Sequence, residues 1–174
     1  MPSVPPLPFP DAFHVQSSVG WLELGSPAEA RTELESISGE GRRHPDALEV
    51  WWTIFAAEKN WPGALSCAES LVAAAPERAS GWLDQSFALH ELKRTREAFE
   101  RLSSVVEKFR EQYVIAYNLA CYQCGLGNRE EARRWLRRAV SASDVKTILA
   151  LAADDPDLAS LREEMARSDW PEPE

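Results

Sequence analysis

The chain has 174 residues, of which 44% are hydrophobic and 27% charged, and this composition is typical of a folded domain rather than a disordered segment. Asp and Glu number 28 against 19 Lys and Arg, so the net charge is −9 and the surface should repel nucleic-acid phosphates. Three cysteines cannot form a disulfide framework, and no run approaches the ~18 apolar residues of a membrane span. Because a secretory signal pattern is also missing at the N-terminus, we expect a cytoplasmic protein that binds neither nucleic acid nor membrane.

Both ends of the chain are expected to lie outside the repeats, and the N-terminal one could cover the first helix. Residues 1–10 contain five prolines, which exclude a helix and predict an extended, polyproline-type arm. Residues 169–174 combine two prolines with acidic residues and predict a frayed tail.

Between these ends, an alanine recurs at a fixed spacing of 34 residues, at Ala30, Ala64, Ala98 and Ala132. Glu precedes this alanine in three of the four places, and an aliphatic or small residue follows it four positions later. A fixed period over four units with no insertion indicates a repeat architecture. The expected repeats cover about residues 11–44, 45–78, 79–112 and 113–142.

Each repeat is predicted to contain two helices. In the first repeat, Ser26 is a candidate N-cap, Pro27 the first helical residue, and Glu29 the partner of Ser26 in a capping box. The recurring alanine is expected where the two helices cross most closely, because a larger side chain there would force the backbones apart. Small residues are expected on the facing helices as well, with Trp52 as the exception in the second repeat: Ser18, Ser86 and Ala120.

Residues 143–168 are predicted to form two short capping helices. The first carries the apolar residues Val145, Ile148, Leu149 and Leu151. Asp155 and Pro156 open the second, which places Leu158, Leu161 and Met165 on one face. A repeat array needs such a terminal element to cover the apolar face of its last unit.

At the level of motifs, the sequence resembles the tetratricopeptide repeat (TPR) family over roughly residues 11–142. The resemblance rests on the 34-residue period, on the turns at residues 25–30 (GSPAEA) and 127–132 (GNREEA), and on Trp82-Leu83 and Tyr117-Asn118-Leu119-Ala120. It implies an all-α fold, a right-handed α-solenoid of helix–turn–helix repeats. The departures are Trp52 and the absence of proline at Arg110 and Asp144, where the third and fourth repeats end.

In a curved solenoid, the first helix of each pair lines a concave groove that binds a protein or peptide partner. The lining positions are expected to be Val15, Val19, Leu22, Glu49, Thr53, Leu83, Phe87, His90, Tyr117, Asn118, Cys121 and Cys124. Leu83, Phe87 and Tyr117 are expected to converge as the central anchors. TPR proteins that bind acidic chaperone tails carry Lys and Arg at matching positions, and none stands there in this sequence, so that clamp is predicted to be absent.

The sequence carries little that indicates catalysis. Cys121 and Cys124 form a lone Cys-x-x-Cys late in a predicted helix, where the helix dipole would not activate the thiol. We interpret both as packing residues, although His90 could join them as a third metal ligand. No triad spacing and no phosphate-binding glycine loop is present, so we expect no enzyme activity, cofactor or metal. The basic run from Arg129 to Arg138 is interpreted as a solvated helix face paired with its own acidic residues.

Two functions fit these expectations. The first is a bacterial-type, non-catalytic scaffold or adaptor that binds a partner in the concave groove. The alternative is a small TPR-type chaperone for a dedicated client, of the kind that serves secretion systems. Copurification separates them, because a client should become insoluble without its chaperone whereas an adaptor's partner should stay soluble.

Overall fold

The computed structural model describes residues 4–166 and Trp170, and the described residues form helices and turns with no strand. The chain divides into two compact units, Met1–Leu92 and Lys93–Glu174. The expected all-α fold class is therefore confirmed for these residues. The predicted tail, apart from Trp170, and residues 1–3 of the predicted arm lie outside the described residues.

The first unit contains five α-helices and one 3-10 segment between residues 4 and 92. They are α1 (Asp11–Glu23), α2 (Pro27–Leu34), a 3-10 turn (Gly41–Arg43), α3 (Pro45–Ala57), α4 (Trp61–Ala74) and α5 (Ala79–Glu91). Helices α1 and α2 pack as one hairpin, α3 and α4 form the next, and α5 packs against α4. Both hairpins fall within the repeats predicted at 11–44 and 45–78.

The second unit contains another five helices in its described part. They are α6 (Thr95–Ser103), α7 (Tyr113–Gly125), α8 (Arg129–Ser141), α9 (Val145–Ala152) and α10 (Arg162–Met165), with a 3-10 segment (Pro156–Leu161) before α10. Helices α7 and α8 form the hairpin of the fourth predicted repeat. The second capping helix is mostly 3-10 rather than α, but its predicted apolar face is buried at Leu158, Leu161 and Met165.

The recurring alanines lie at the centre of the packing, as the spacing predicted. Ala30, Ala64, Ala98 and Ala132 are all 0% exposed. The small residues expected on the facing helices, Ser18, Ser86 and Ala120, are also fully buried, whereas the Trp52 side chain remains half-buried. Because an alanine leaves no side chain beyond Cβ, the helices of a hairpin can approach closely at this position.

Turn residues with positive φ repeat with the same 34-residue period as the alanines. Gly25, Lys59, Lys93 and Gly127 all have positive φ, between 56° and 82°. In three of the turns, the N–H of the following residue donates to a carbonyl five residues earlier: Ser26 to Trp21, Asn60 to Phe55, and Asn128 to Gln123. This is the Schellman arrangement, which ends a helix with one left-handed residue.

The predicted capping box at the start of α2 is not formed. Ser26 is the N-cap residue, but its side chain makes no capping hydrogen bond. The Ser26 N–H, which would donate to Glu29 in a capping box, is bonded to the Trp21 carbonyl instead. The equivalent Asn60 does cap its helix, with Oδ1 accepting from the Gly63 N–H at 3.2 Å.

The first residue of α1 fastens the connection between the first two hairpins. The Asp11 carboxylate accepts hydrogen bonds from the Ser38 N–H at 2.9 Å and from the Ser38 hydroxyl at 2.5 Å. The Gly41 N–H donates to the same hydroxyl at 3.0 Å. A Cβ at Gly41 would lie 2.2 Å from Asp11 Oδ2, so only glycine allows this close approach.

The described part of the proline-rich arm lies against this connection. Residues 4–8 form no helix or strand, and they line a cavity of about 350 Å³ together with residues of the 38–45 segment. The His44 ring nitrogen Nε2 lies 2.8 Å from the Pro5 carbonyl oxygen. Residues 4–8 therefore pack against the 38–45 segment of their own chain.

Candidate functional site

An open groove of about 550 Å³ lies between α1 and α3 in the first unit. We call it the unit 1 groove, and its lining residues are Val15, Val19, Leu22, Glu23, Asp46, Glu49, Val50 and Thr53. Five of them were predicted from the repeat register: Val15, Val19, Leu22, Glu49 and Thr53. Their spacing on each helix explains the shared surface, because residues four and seven positions apart lie on one helix face.

The floor of the unit 1 groove is aliphatic and accessible to solvent. Val19 is 39% exposed, Val15 and Leu22 are half-buried, and Val50 is buried against the core of the first two hairpins. The Thr53 hydroxyl donates to the Glu49 carbonyl of its own helix at 3.0 Å. The floor can therefore bury apolar side chains of a ligand without leaving this hydroxyl unbonded.

Three carboxylates but no Lys, Arg or His line the groove. Glu49 Oε1 accepts a hydrogen bond from the Ser80 hydroxyl at 2.6 Å. Arg78, at the start of α5, lies 2.7 Å from Asp46 Oδ1 and 3.4 Å from Glu49 Oε2, measured from its Nη1. One arginine thus partly compensates two of the acids, and the rim keeps a net negative charge.

A further carboxylate, Asp84 on α5, extends the acidic character of this surface. It follows Val50 by 34 residues and so occupies the equivalent position of the next repeat. Burial, together with the nearby negative charge of Glu49, raises the pKa of Asp84 to about 7. In the described part of the chain, no group donates a hydrogen bond to this carboxylate.

Phe87, a predicted lining residue on α5, belongs to an aromatic cluster. Phe87 is 39% exposed and contacts two tryptophans edge to face, Trp52 at 6.2 Å and Trp61 at 5.7 Å between ring centroids. Leu83 and His90 are half-buried. The bulky Trp52 therefore supports Phe87, whose exposed part remains available to a ligand.

The predicted lining residues of the second unit are largely covered. Tyr117 is 6% and Cys121 4% exposed, and both point to Asp155 Oδ2, with the Tyr117 hydroxyl at 2.6 Å and Cys121 Sγ at 3.5 Å. Asn118 and Cys124 are half-buried. The structure does not offer Tyr117 as an exposed anchor, because the segment that opens at Asp155 covers it.

The cysteines have the environment of packing residues. Burial raises the pKa of the Cys121 thiol, with the negative charges of Asp155 and Asp157 adding to the rise. The pKa of Cys124 is raised by burial too, and that of Cys67 is raised by burial to about 11. Among residues 4–166 and Trp170, no group of three or more His, Cys, Asp or Glu side chains is arranged to hold a metal ion.

The basic run of α8 is paired with acidic residues, as the sequence predicted. Arg133 binds Glu130 of its own helix and Glu164 of α10, with Nη2 and Oε2 of the second pair 2.7 Å apart. Arg134 pairs with Glu131 at 2.5 Å, and Arg138 with Glu107 at 2.9 Å. These ion pairs offset most of the positive charge of α8 that would otherwise attract a phosphate group or an acidic partner.

Sequence reasoning missed two acidic residues that matter to these surfaces. The 34-residue period could have placed Asp84, because its counterparts Val50 and Asn118 both fall in or next to the predicted groove. Asp155 was recognised only as an N-cap. Its contact with Tyr117 spans 38 residues and crosses from the capping segment to α7, which no local pattern indicates.

The architecture is shared with solved repeat proteins. A thermophilic TPR protein of Thermus thermophilus matches with a TM-score of 0.74 and 21% identity, over 89% of this chain and 85% of that chain. MamA of Desulfovibrio magneticus matches with a TM-score of 0.68 and 18% identity, over 92% of both chains. PilF of Pseudomonas aeruginosa matches with a TM-score of 0.67 and 19% identity, over 87% of this chain and 68% of that chain. The chain has the tetratricopeptide repeat fold. No protein-family model and no curated protein matches the sequence.

Within the TPR fold, α1, α3, α5 and α7 are the first helices of the repeats, and α1 and α3 supply the whole lining of the unit 1 groove. Since this lining contains no Lys or Arg, it lacks the cationic side chains of a TPR carboxylate clamp. None of the helices in the described ranges is long and apolar enough to cross a membrane.

Proposed function

We propose that this TPR protein is a non-catalytic scaffold whose unit 1 groove binds a segment of a partner protein. The observation that carries the proposal is the groove itself, an open channel of about 550 Å³ with an aliphatic floor on the first helices of two successive repeats. An accessible apolar surface bordered by polar residues is characteristic of a protein interaction site. Concave repeat surfaces are also where solenoid proteins bind extended ligands.

The size of the apolar floor is sufficient to support specific binding. Burial of apolar surface contributes roughly 25 cal/mol per Å², so two or three aliphatic side chains of a ligand would supply several kcal/mol. Val19 is the most exposed valine of the floor and should be central to the contact. Interfaces commonly depend on a few such central anchors.

The arrangement of reactive groups supports a binding role rather than a catalytic one. The three cysteines are free, and burial raises the pKa of each, so the described thiols are poor nucleophiles. Free cysteines also suit a reducing compartment such as the cytoplasm.

Two matched threonines allow a direct test of the groove. Thr53 and Thr32 are both exposed, both lie in the first unit, and each hydroxyl bonds the carbonyl four residues earlier at 3.0 Å. Only Thr53 lines the groove. The full chain would be used to select binders from a displayed library of random 15-residue peptides, and the selected peptides would be titrated by fluorescence anisotropy.

Thr53→Trp should fill the groove and weaken peptide binding at least about tenfold, whereas Thr32→Trp should leave the affinity unchanged. Circular dichroism of both variants would establish that the fold is intact. Equal affinities for the wild type and Thr53→Trp would rule out the unit 1 groove as the binding site.

A further inference from the structure

The charge distribution around the unit 1 groove is one-sided. Glu23, Asp46 and Glu49 line it, and Asp84 lies in the adjoining position on α5 within the electrostatic reach of Glu49. Arg78 pairs with Asp46 and Glu49. Arg78 is therefore shared by two of the four carboxylates, and His44 Nδ1 lies 3.7 Å from Asp46 Oδ2.

Asp84 is the member of this group that the fold supports least. Ser80 and Arg78 both contact Glu49, but no described group donates to the Asp84 carboxylate. Such a half-buried, unpaired carboxylate opposes folding when it is ionised. A group that costs stability and lies beside an apolar groove is characteristic of a functional site rather than a structural one.

We propose that the occupant of the groove is a basic amphipathic segment of a partner protein, whose aliphatic side chains bury the valine floor while a Lys or Arg pairs with Glu49 and Asp84. This inference rests on the proposed function, because it specifies the chemistry of the partner that the same groove binds. Charge complementarity selects this occupant, since a cation supplies the donors that Asp84 lacks and offsets its repulsion with Glu49.

The same charges argue against other occupants. An acidic segment would add like charges to a rim that already has an excess of carboxylates. A second copy of this chain carries a net charge of −9, and its basic helix α8 is already paired through Arg133, Arg134 and Arg138. Long-range repulsion would therefore slow the approach of either.

Two pairs of acidic residues provide variants matched in net charge. Glu49→Gln with Asp84→Asn removes two charges at the groove. Glu69→Gln with Glu77→Gln removes two charges from exposed side chains of the first unit that do not line the groove. Asp84→Asn alone gives a milder variant that keeps the Ser80–Glu49 hydrogen bond.

The experiment uses the peptides selected from the random library on the full chain, titrated at low and high salt. The selected peptides should contain more Lys and Arg than Asp and Glu, next to aliphatic residues. The groove pair of substitutions should weaken binding about tenfold or more, the single Asp84→Asn several-fold, and the matched control pair less than twofold.

The outcomes separate this inference from the proposed function. If the selected peptides are neutral or acidic and Thr53→Trp still abolishes their binding, the basic-partner inference is overturned and the groove remains the site. If the selected peptides are basic but their affinity is unchanged by the groove pair of substitutions and by Thr53→Trp, both the basic-partner inference and the proposed function are overturned. Concentration-dependent self-association that is lost in Thr53→Trp, measured by sedimentation, would identify a second copy as the occupant and overturn the basic-partner inference.

Discussion

The Tyr117 hydroxyl donates a hydrogen bond of 2.6 Å to Oδ2 of Asp155, 38 residues further along the chain. The other carboxylate oxygen, Oδ1, accepts from the Asp157 N–H at 2.9 Å and caps the 3-10 segment. The Asp155 carboxylate thus caps the 3-10 segment (Pro156–Leu161) and also connects it to α7 by a hydrogen bond. Removal of its hydrogen bond should loosen the cap while the rest of the fourth hairpin stays packed.

Tyr117→Phe is expected to lower the free energy of unfolding by about 1.5–3 kcal/mol, because a buried hydrogen bond to a charged acceptor is lost. Urea denaturation followed by circular dichroism measures the change. Tyr113→Phe on the same helix is the control and should have little effect, since Tyr113 makes no described side-chain hydrogen bond. Equal stabilities of the two variants would show that the Asp155 contact contributes nothing.

Asp84→Asn should stabilise the protein at neutral and alkaline pH. The pKa of Asp84 is raised from 3.8 to about 7 on folding, so between these values the folded state binds more protons and stability falls as pH rises. Three pKa units correspond to about 4 kcal/mol, and screening by solvent at this half-buried side chain should reduce this to about 1–2 kcal/mol.

The measurement is urea denaturation at pH 4 and pH 8. The gain in Asp84→Asn should be present at pH 8 and almost absent at pH 4, while exposed Glu69→Gln should show no gain at either pH. A variant less stable than the wild type at pH 8 would mean that Asp84 has a stabilising partner.

Asp11→Asn should destabilise the protein, in contrast to Asp84→Asn. Hydrogen bonds from the Ser38 hydroxyl and N–H hold the pKa of Asp11 below its ordinary value of 3.8. The stabilisation is present above pH 3.8 and is lost as the pH falls through the lower, folded-state pKa. The variant should be less stable than the wild type at pH 6, and the difference should shrink on acidification to pH 2.

Thermal melts at a series of pH values would test this. Glu29→Gln, an exposed acid of α2 without a capping role, should follow the wild-type curve. A difference between Asp11→Asn and wild type that stays constant down to pH 2 would contradict the assignment.

Substitutions at two turn residues with positive φ should change the stability of the protein in opposite directions. Lys59 has φ 56°, which costs a residue with a side chain about 1 kcal/mol, so Lys59→Gly should stabilise by about 0.5–1 kcal/mol. Gly25→Ala should destabilise by a similar amount. Since no atom lies within 4 Å of a Cβ at Gly25, the effect would come from the backbone alone. Melting temperatures that move in the same direction for both would exclude this explanation.

Much of the fold could be predicted from the sequence because the same residue pattern occurs four times at a spacing of 34 residues. Ala30 and its three equivalents identify the helix crossings, and the same period places Val15 and Glu49 on one surface. The ionisation of Asp84 could not be predicted, because it depends on the desolvation that packing produces. The burial of Tyr117 could not be predicted, because the segment that covers it follows the last repeat and shares none of its periodicity.

The shielded cysteines have a practical consequence for work on the groove. The thiolate is the form that reacts with maleimide dyes, and burial keeps Cys67, Cys121 and Cys124 in the thiol form. A cysteine introduced at exposed Thr53 would be labelled much faster than these three. The native sequence can therefore carry a fluorescent reporter at the groove without removal of its own cysteines.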